Sequence, residues 1–428
     1  MTLMRLANMH VRRLNRWNFA RFELLGAVIL CALVPLVLRL AGLARGQGDP
    51  QAVNTFIGVV TAIVIGTWLH HRIRALPGFR DLSGLIPSYA LSFGAVALII
   101  LTLRIDYTRS LLIAGFLLAL VWFHAVALFN QSHERVLLGI IEGGDAGELA
   151  KVANAIAVPL SLEDWPDKLN AVAADFRFDH SDAWERRMAD YALAGIPVYH
   201  SKDLHESLTG RANLEQLSEN NLGSLGPLLA VQQFKAIVDR LTALPALIVF
   251  LPLFALVAIA IKLDSPGPVF FRQSRVGRGG KEFRVVKFRT MTVTHTDHAT
   301  SSRDDFITQD GDQRVTRLGR LLRRSRIDEL PQVINILLGE MSWIGPRPEA
   351  AALSQWYEQE IPFYRYRHVV MPGITGWAQV NQGHVADLDS IRTKLQYDFF
   401  YIRNFSIWLD IAIIAKTVKT VLNGFGHK

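Results

Sequence analysis

The chain has 428 residues, half of them hydrophobic, with a mean hydropathy of +0.22, a formal net charge of +8 and a single cysteine. That length accommodates two or three domains, the hydropathy is high for a wholly soluble enzyme, and one cysteine excludes an intrachain disulfide or a thiolate metal cluster. The positive balance is assigned to anionic head groups and phosphorylated substrates rather than to nucleic acid.

Four runs free of acidic residues, at about 24–40, 53–69, 85–103 and 111–129, come first in chain order. Each reaches the ~17–20 apolar residues needed to cross a bilayer. Arg5, Arg12, Arg13, Arg16 and Arg21 precede the first run, and Arg72, Arg74 and Arg80 follow the second. The other two loops are poorer in positive charge, so both ends of this block are expected in the cytoplasm. The basic leader runs straight into the first span without a small-residue cleavage site, which argues against a cleaved signal. Cys31 lies inside that span and reads as an apolar packing residue.

Beyond residue 130 the composition changes. Short β-type runs at 136–141, 169–174 and 196–199 alternate with helical patterns after 142–148 and at 184–194. This predicts a small Rossmann-like α/β module over 131–222. Gly143, Gly144 and Gly147 resemble a dinucleotide loop, but the GxGxxG spacing is absent. The turn-rich stretch 220–227 reads as a linker. An amphipathic helix follows, with Leu228, Val231, Phe234, Ile237, Val238 and Leu241 on one side and Lys235, Asp239 and Arg240 opposite. It enters a fifth apolar run, 241–263, which has Pro252 at its middle and cations on both flanks. A helix that enters, breaks at Pro252 and returns to the same leaflet satisfies these features.

The remaining sequence carries the chemistry. Asp264-Ser-Pro-Gly-Pro268 turns into a strand, Gly277-Arg-Gly-Gly280 turns again, and residues 283–291 form a second strand that places Lys287 and Arg289 on one face. His295, Asp297 and His298 fall in a Thr/Ser/Asp-rich loop that reads as a mobile lid rather than a metal site. Asp328 and Glu329 are adjacent carboxylates among Arg320, Arg323, Arg324 and Arg326, ahead of Pro331. This is a set suited to a diphosphate and Mg²⁺. Arg347, between Pro346 and Pro348, is a guanidinium on a stiffened backbone. The stretch 397–421 reads as an interfacial amphipathic helix, with a core-packing helix as the near-equal alternative.

Taken in order, the broken apolar segment, Lys262-Leu-Asp-Ser-Pro-Gly-Pro-Val-Phe-Phe-Arg-Gln273, Val286-Lys-Phe-Arg-Thr-Met291, Ile327-Asp-Glu-Leu-Pro-Gln332, Gly345-Pro-Arg-Pro-Glu349, Pro372-Gly-Ile-Thr-Gly-Trp377 and Trp408-Leu-Asp410 closely resemble the bacterial sugar transferases, the monotopic phosphoglycosyl transferases. The resemblance covers 235–422 and implies transfer of a hexose-1-phosphate from a UDP-sugar to undecaprenyl phosphate, with release of UMP, to prime exopolysaccharide, capsule or O-antigen synthesis. It implies that Asp328 is the nucleophile, that Glu329 binds Mg²⁺, and that Lys287, Arg289, Arg323 and Arg347 neutralise the diphosphate. The helix start and nearby arginines are expected to favour a charged Asp328. The family's membrane helix breaks at a Ser-Pro pair; Leu251-Pro252 stands here, without the backbone-capping hydroxyl. The expected architecture is membrane α plus α/β. Four transmembrane helices occupy 1–130, the small module 131–222, and a re-entrant-helix α+β catalytic domain 223–428, facing the cytoplasm from the bacterial inner membrane. Self-association is left open, as is the choice among glucose, galactose and N-acetylhexosamine. The competing reading is a non-catalytic membrane scaffold of a polysaccharide assembly complex.

Overall fold

The long apolar runs fold as helices because they contain few breakers and satisfy their own backbone hydrogen bonds. In the computed structural model these are α1 (Phe22–Ala41), α2 (Pro50–Arg74), α3 (Leu85–Thr102) and α4 (Arg109–Gln131). Small residues let them approach closely. Gly26 lies against Trp122, and Gly66 against Tyr89 and Ser92. Ala27, Cys31, Ala62 and Ile63 share one buried cluster with Tyr89 and Phe123, so Cys31 is the packing residue expected. The structure describes residues 22–42, 49–74, 84–131, 137–151, 156–163, 169–212, 226–292, 312, 314–382 and 387–423. The loop with His295, Asp297 and His298 lies outside them. The chain divides into two units, Met1–Gly210 and Arg211–Lys428.

Within the first unit, β1 (Leu137–Ile140), β2 (Ile156–Pro159), β3 (Ala171–Ala174) and β4 (Val198–His200) form a parallel sheet in the order β2-β1-β3-β4. Helices α5 (Asp182–Leu193) and α6 (Ser201–Thr209) accompany it. Every residue of β3 is buried because both faces are covered. Strand β2 corrects the sequence reading, which ran a helix through residue 157. The helical turn there is a 3₁₀ segment ending at Lys151, and Ile156–Pro159 is short enough to need β1 as its partner. The glycine loop is filled from within: the Asp145 N–H donates to Asp175 Oδ2 at 3.0 Å, and a Cβ at Gly144 would strike the same carboxylate.

The second unit opens with α7 (Leu229–Asp264), which carries Pro245 and Pro252 in its interior. Helical structure continues through Pro252, so a re-entrant turn there would be a kink within one helix rather than a break. Its core-facing stripe, Ala243, Phe254, Val257 and Ile261, with Leu247 and Phe250 packed alongside, keeps helical spacing across both prolines. Only its N-terminal part is inverted relative to a soluble helix. Phe234, Ile237 and Leu241 are exposed, whereas Gln232 and Asp239 are buried. Lys235 pairs with Asp410 at 2.8 Å, and the Ser342 hydroxyl donates to Asp239 at 2.6 Å.

After α7, β5 (Phe270–Val276) and β6 (Glu282–Phe288) form an antiparallel hairpin whose turn uses Gly279 and Gly280 at positive φ. Then follow α8 (Arg317–Arg324), a 3₁₀ segment (Ile327–Gln332), α9 (Val333–Leu338), β7 (Ser342–Ile344), α10 (Ala351–Glu360), β8 (Gly373–Thr375), α11 (Trp377–Gln382), α12 (Leu388–Arg403) and α13 (Ile407–Asn423). β7 and β8 pair in parallel. The stretch read as one interfacial helix, 397–421, is instead divided at Asn404 between α12 and α13. Tyr397 to Ile402 are buried without a break, which is the core-packing alternative.

Asn335 of α9 completes the free edge of β6. Its side chain accepts from the Val286 N–H at 3.0 Å and donates to the Arg284 carbonyl at 2.8 Å. Leucine at this position would leave two backbone groups unpaired, at about 1–3 kcal/mol each. Asn335→Leu is therefore expected to lower the unfolding temperature in detergent by roughly 5 °C or more; an unchanged transition would show that the β6 edge is satisfied otherwise.

Candidate active site

Thr316 starts the segment that builds the site. Its hydroxyl accepts from the Gly319 N–H at 2.9 Å and caps α8. The helix ends at Ser325, and Arg326, at φ 58°, turns the chain in the left-handed region. For a non-glycine residue this is a strained conformation, and it sets the direction of the next 3₁₀ turn, which carries Asp328 and Glu329. Pro331 ends that turn just before α9.

Three elements converge on Glu329. Lys287, near the end of β6, approaches its Oε1 at 3.0 Å, and Arg347, from the loop after β7, donates to the same oxygen at 2.7 Å. Arg326 lies 3.7 Å from Oε2. Burial opposes ionisation of Glu329, but Arg347 and Lys287 overcome it and hold the carboxyl well below its usual range. Burial brings Lys287 down to about 8 even with Glu329 beside it. The charge of Glu329 chiefly pushes Arg347 further up.

Asp328 behaves differently. Its Oδ1 is buried without a hydrogen-bond partner among the described residues. Burial first, and then the adjacent Glu329 charge, push its pKa up to about 6 against the pull of Lys287, Arg323 and Arg347. The direction runs against the expectation that a helix start and arginines would favour the charged form, although a carboxyl near 6 is still mostly ionised at pH 7.5. The turn is a short 3₁₀ segment, and the cations are largely engaged by Glu329. The two neighbours thus become a compensated carboxylate and an uncompensated one.

The other expected residues divide. Arg323 donates through Nε to the Thr290 hydroxyl at 3.0 Å and is close enough to act on Asp328. Arg320 and Arg324 are exposed on the opposite side of α8. Arg289 does not share the site of Lys287, because β6 ends at Phe288. Its guanidinium donates to the carbonyls of Ser265 at 2.6 Å and Pro266 at 2.7 Å, and to Ser265 Oγ at 3.1 Å. It therefore serves the C-terminal end of α7, where carbonyls lack helical partners.

Behind Arg347 stands a layer that sequence reading missed. Arg367 donates to the Arg347 carbonyl at 3.0 Å and to Asp398 at 2.7 Å. Arg275 donates to the Pro348 carbonyl at 2.9 Å. Glu349 pairs with Lys394; burial opposes its ionisation, but Lys394, Arg367 and Arg275 together hold it far below the usual carboxylate range. Gly345, Gly373 and Gly376 let the backbones on either side of the loop touch, since a Cβ at any of them would strike main-chain atoms. Glu349 stood in a visible motif, but its partner is 45 residues away, and no local pattern marks such pairing.

A sequence profile of the bacterial sugar transferases matches residues 230–424. The chain is 42% identical over 385 residues, 89% of each chain, to the UDP-N-acetylgalactosamine-undecaprenyl-phosphate N-acetylgalactosaminephosphotransferase of Aeromonas hydrophila. It is 50% identical over 190 residues to the UDP-glucose:undecaprenyl-phosphate glucose-1-phosphate transferase of Xanthomonas campestris pv. campestris, covering 44% of this chain and 38% of the relative. Against the protein of the same name from Escherichia coli, identity is 44% over 205 residues, covering 47% and 42%.

Since Asp328 carries a raised pKa, its buried carboxyl stabilises the fold fully below pH ~4, and that contribution is lost as pH rises through about 6. Asp328→Asn is therefore expected to be more stable than the wild type at pH 7.5 by about 1–3 kcal/mol, with the difference vanishing near pH 4. A variant less stable at both pH values would show that Asp328 is satisfied within the fold.

Proposed function

Because the chain belongs to the bacterial sugar transferase family, we propose that it is a membrane phosphotransferase moving a hexose-1-phosphate from a UDP-sugar to undecaprenyl phosphate, releasing UMP, in polysaccharide synthesis. The observation that carries the chemistry is the division of labour between Asp328 and Glu329. One Asp328 oxygen attacks the β-phosphorus of the donor, forming an aspartyl-phosphosugar bond as the bridging bond to the α-phosphate breaks and UMP departs. An oxygen of the lipid phosphate then attacks that phosphorus, the Asp328–phosphorus bond breaks, and the lipid diphosphosugar leaves. Lys287 and Arg347, fixed by Glu329, and Arg323, oriented by Thr290, face the charge that develops on the departing phosphate.

The donor set suits Mg²⁺. Among the described residues, Glu329 Oε2 has only Arg326 at 3.7 Å, and no cluster of three His, Cys, Asp or Glu groups exists. Mg²⁺ commonly takes one or two carboxylates together with substrate phosphates and water. Glu329 would hold it and, when bound, it would neutralise diphosphate charge.

Both ends of α7 support a re-entrant or interfacial placement rather than a span. Lys235 and Asp239 bind Asp410 and Ser342 near one end, while the Ile261 and Ser265 carbonyls bind Arg289 at the other. A helix whose two ends grip the same unit keeps both on one side of a bilayer, and its outward leucines and isoleucines meet lipid. With α1–α4 as spans, the catalytic unit faces the cytoplasm of the inner membrane.

UDP-N-acetylgalactosamine is the first donor to test, followed by UDP-glucose and UDP-galactose. Wild-type protein is expected to exchange labelled UMP into the donor without lipid, with a bell-shaped pH profile whose limbs fall at about 6 for Asp328 and about 8 for Lys287. Asp328→Asn should abolish that exchange, and its survival would overturn the covalent route. A cysteine replacing Asp264, in a Cys31→Ser background, should react only with a reagent on the cytoplasmic side; periplasmic labelling would make α7 a true span.

A further inference from the structure

Strand alternation sends the first two residues of β5 to opposite sides of the hairpin. Phe270 pairs with Phe288 across it and stacks on that ring at 5.5 Å, and Phe288 meets Phe254 of α7 edge to face at 5.3 Å. The side that carries these rings packs on α7. Phe271 pairs with Lys287, so its side chain leaves the other side, from which Lys287 reaches Glu329 at 3.0 Å. Phe271 is 48% exposed and stacks on no other ring among the described residues. The core therefore does not account for a large apolar side chain beside a cation of the site.

Gln273 and Arg275 follow on the same side. The Arg275 guanidinium donates to Gln273 Oε1 at 2.6 Å and to the Pro348 carbonyl, next to Arg347, at 2.9 Å. The face is thus graded, polar towards the Arg347 loop and apolar at its other end. That apolar end adjoins the end of α7. The Arg289 N–H donates to the Val269 carbonyl at 2.9 Å, and its guanidinium holds the carbonyls of Ser265 and Pro266. Phe271 lies two residues beyond Val269, about 7 Å along a strand.

We propose that Phe271 receives the phosphate-proximal isoprene unit of the lipid acceptor. The proposal deepens the transfer reading above and rests on it, including the placement of α7 in the bilayer. The phosphate of a polyprenyl phosphate has to reach Asp328 while most of its chain stays among the acyl tails. The units next to the phosphate are then drawn out of hydrocarbon, and apolar surface must receive them or they are left to water. Phe271 offers that surface between the end of α7 and Lys287. A platform for the uracil ring is the rival use of an exposed aromatic side chain. The groups able to read a base by hydrogen bonding, however, stand further along the face, at Gln273 and Arg275. The gradient thus separates two substrates that share the same cations, with the lipid chain at Phe271 and the nucleotide towards Gln273.

The test uses the full chain in nanodiscs that contain undecaprenyl phosphate as a minor component. Phe271→Ala is expected to raise the acceptor concentration needed for half-maximal transfer about tenfold. Exchange of labelled UMP into the donor, measured without acceptor, should keep its rate. Phe271→Leu keeps an apolar surface without a ring and should restore the acceptor dependence, which it would not do for a base-stacking platform. Slower UMP exchange with an unchanged acceptor dependence would overturn the proposal in favour of a donor contact, and so would no change in either. A photoreactive benzophenone amino acid replacing Phe271 adds a reading that needs no turnover. On illumination it should gain the mass of undecaprenyl phosphate in excess of that lipid's share of the disc. Adducts formed only in proportion to bulk phospholipid would show a ring that merely meets the bilayer, against the proposal. Absence of UMP exchange in the wild type tells instead against the transfer reading, so the two failures are distinguishable.

Discussion

Glu329 shares one oxygen between Lys287 and Arg347, and the remaining chemistry of the site depends on that clamp. A buried carboxylate between two buried cations settles most of the local charge before any substrate arrives. Asp328, next in the chain, then feels burial and a negative neighbour more strongly than it feels the cations. Two residues with the same functional group shift in opposite directions because burial and a negative neighbour prevail at Asp328, whereas the charges of Arg347 and Lys287 prevail over burial at Glu329. The clamp also orients the donors, since neither Lys287 nor Arg347 can swing away without exposing an unpaired charge.

Arg347 can serve the clamp only because its loop is held from behind. The Arg347 carbonyl is bound by Arg367, itself buried against Asp398, and the three glycines at 345, 373 and 376 bring the supporting backbone into contact. The preceding strand is tied to α7. Ser342 of β7 binds Asp239, while Tyr401 donates to both Asp410 and the Ile344 carbonyl. The polar stripe of α7 thus reaches β7, and β7 leads directly into Arg347. One connected set of hydrogen bonds therefore runs from α7 to the loop that carries Arg347.

Much of this was legible in the residues. The apolar runs and the βα alternation after residue 136 follow from period and composition, whereas the grouping of Lys287, Arg289, Arg323, Asp328, Glu329 and Arg347 came from the family resemblance. What could not be read were relations decided by tertiary pairing. Arg289 sits two residues from Lys287, but β6 stops between them and Arg289 goes to the end of α7. Arg320 and Arg324 belong to the same basic run as Arg323 and face away from it. The amphipathic start of α7 was visible as a pattern, yet which side met protein was not, because a helix beside lipid inverts the rule that apolar residues point inward. Residues 397–402 show the converse: a helix buried all round has no amphipathic stripe by which to be recognised.

The raised pKa of Asp328 makes sense on the two-step route. On the route proposed above, this carboxylate attacks phosphorus in the first step and leaves in the second. A strongly stabilised carboxylate would leave well and attack poorly. The groups it exchanges with, the phosphates of UMP and of the lipid, have second pKa values of about 6. On that route, a carboxyl raised by burial would stand closer in basicity to both phosphates than an ordinary aspartate does. Burial without a partner, which costs the fold about 1–3 kcal/mol, is then the means by which an ordinary aspartate is tuned to two phosphates.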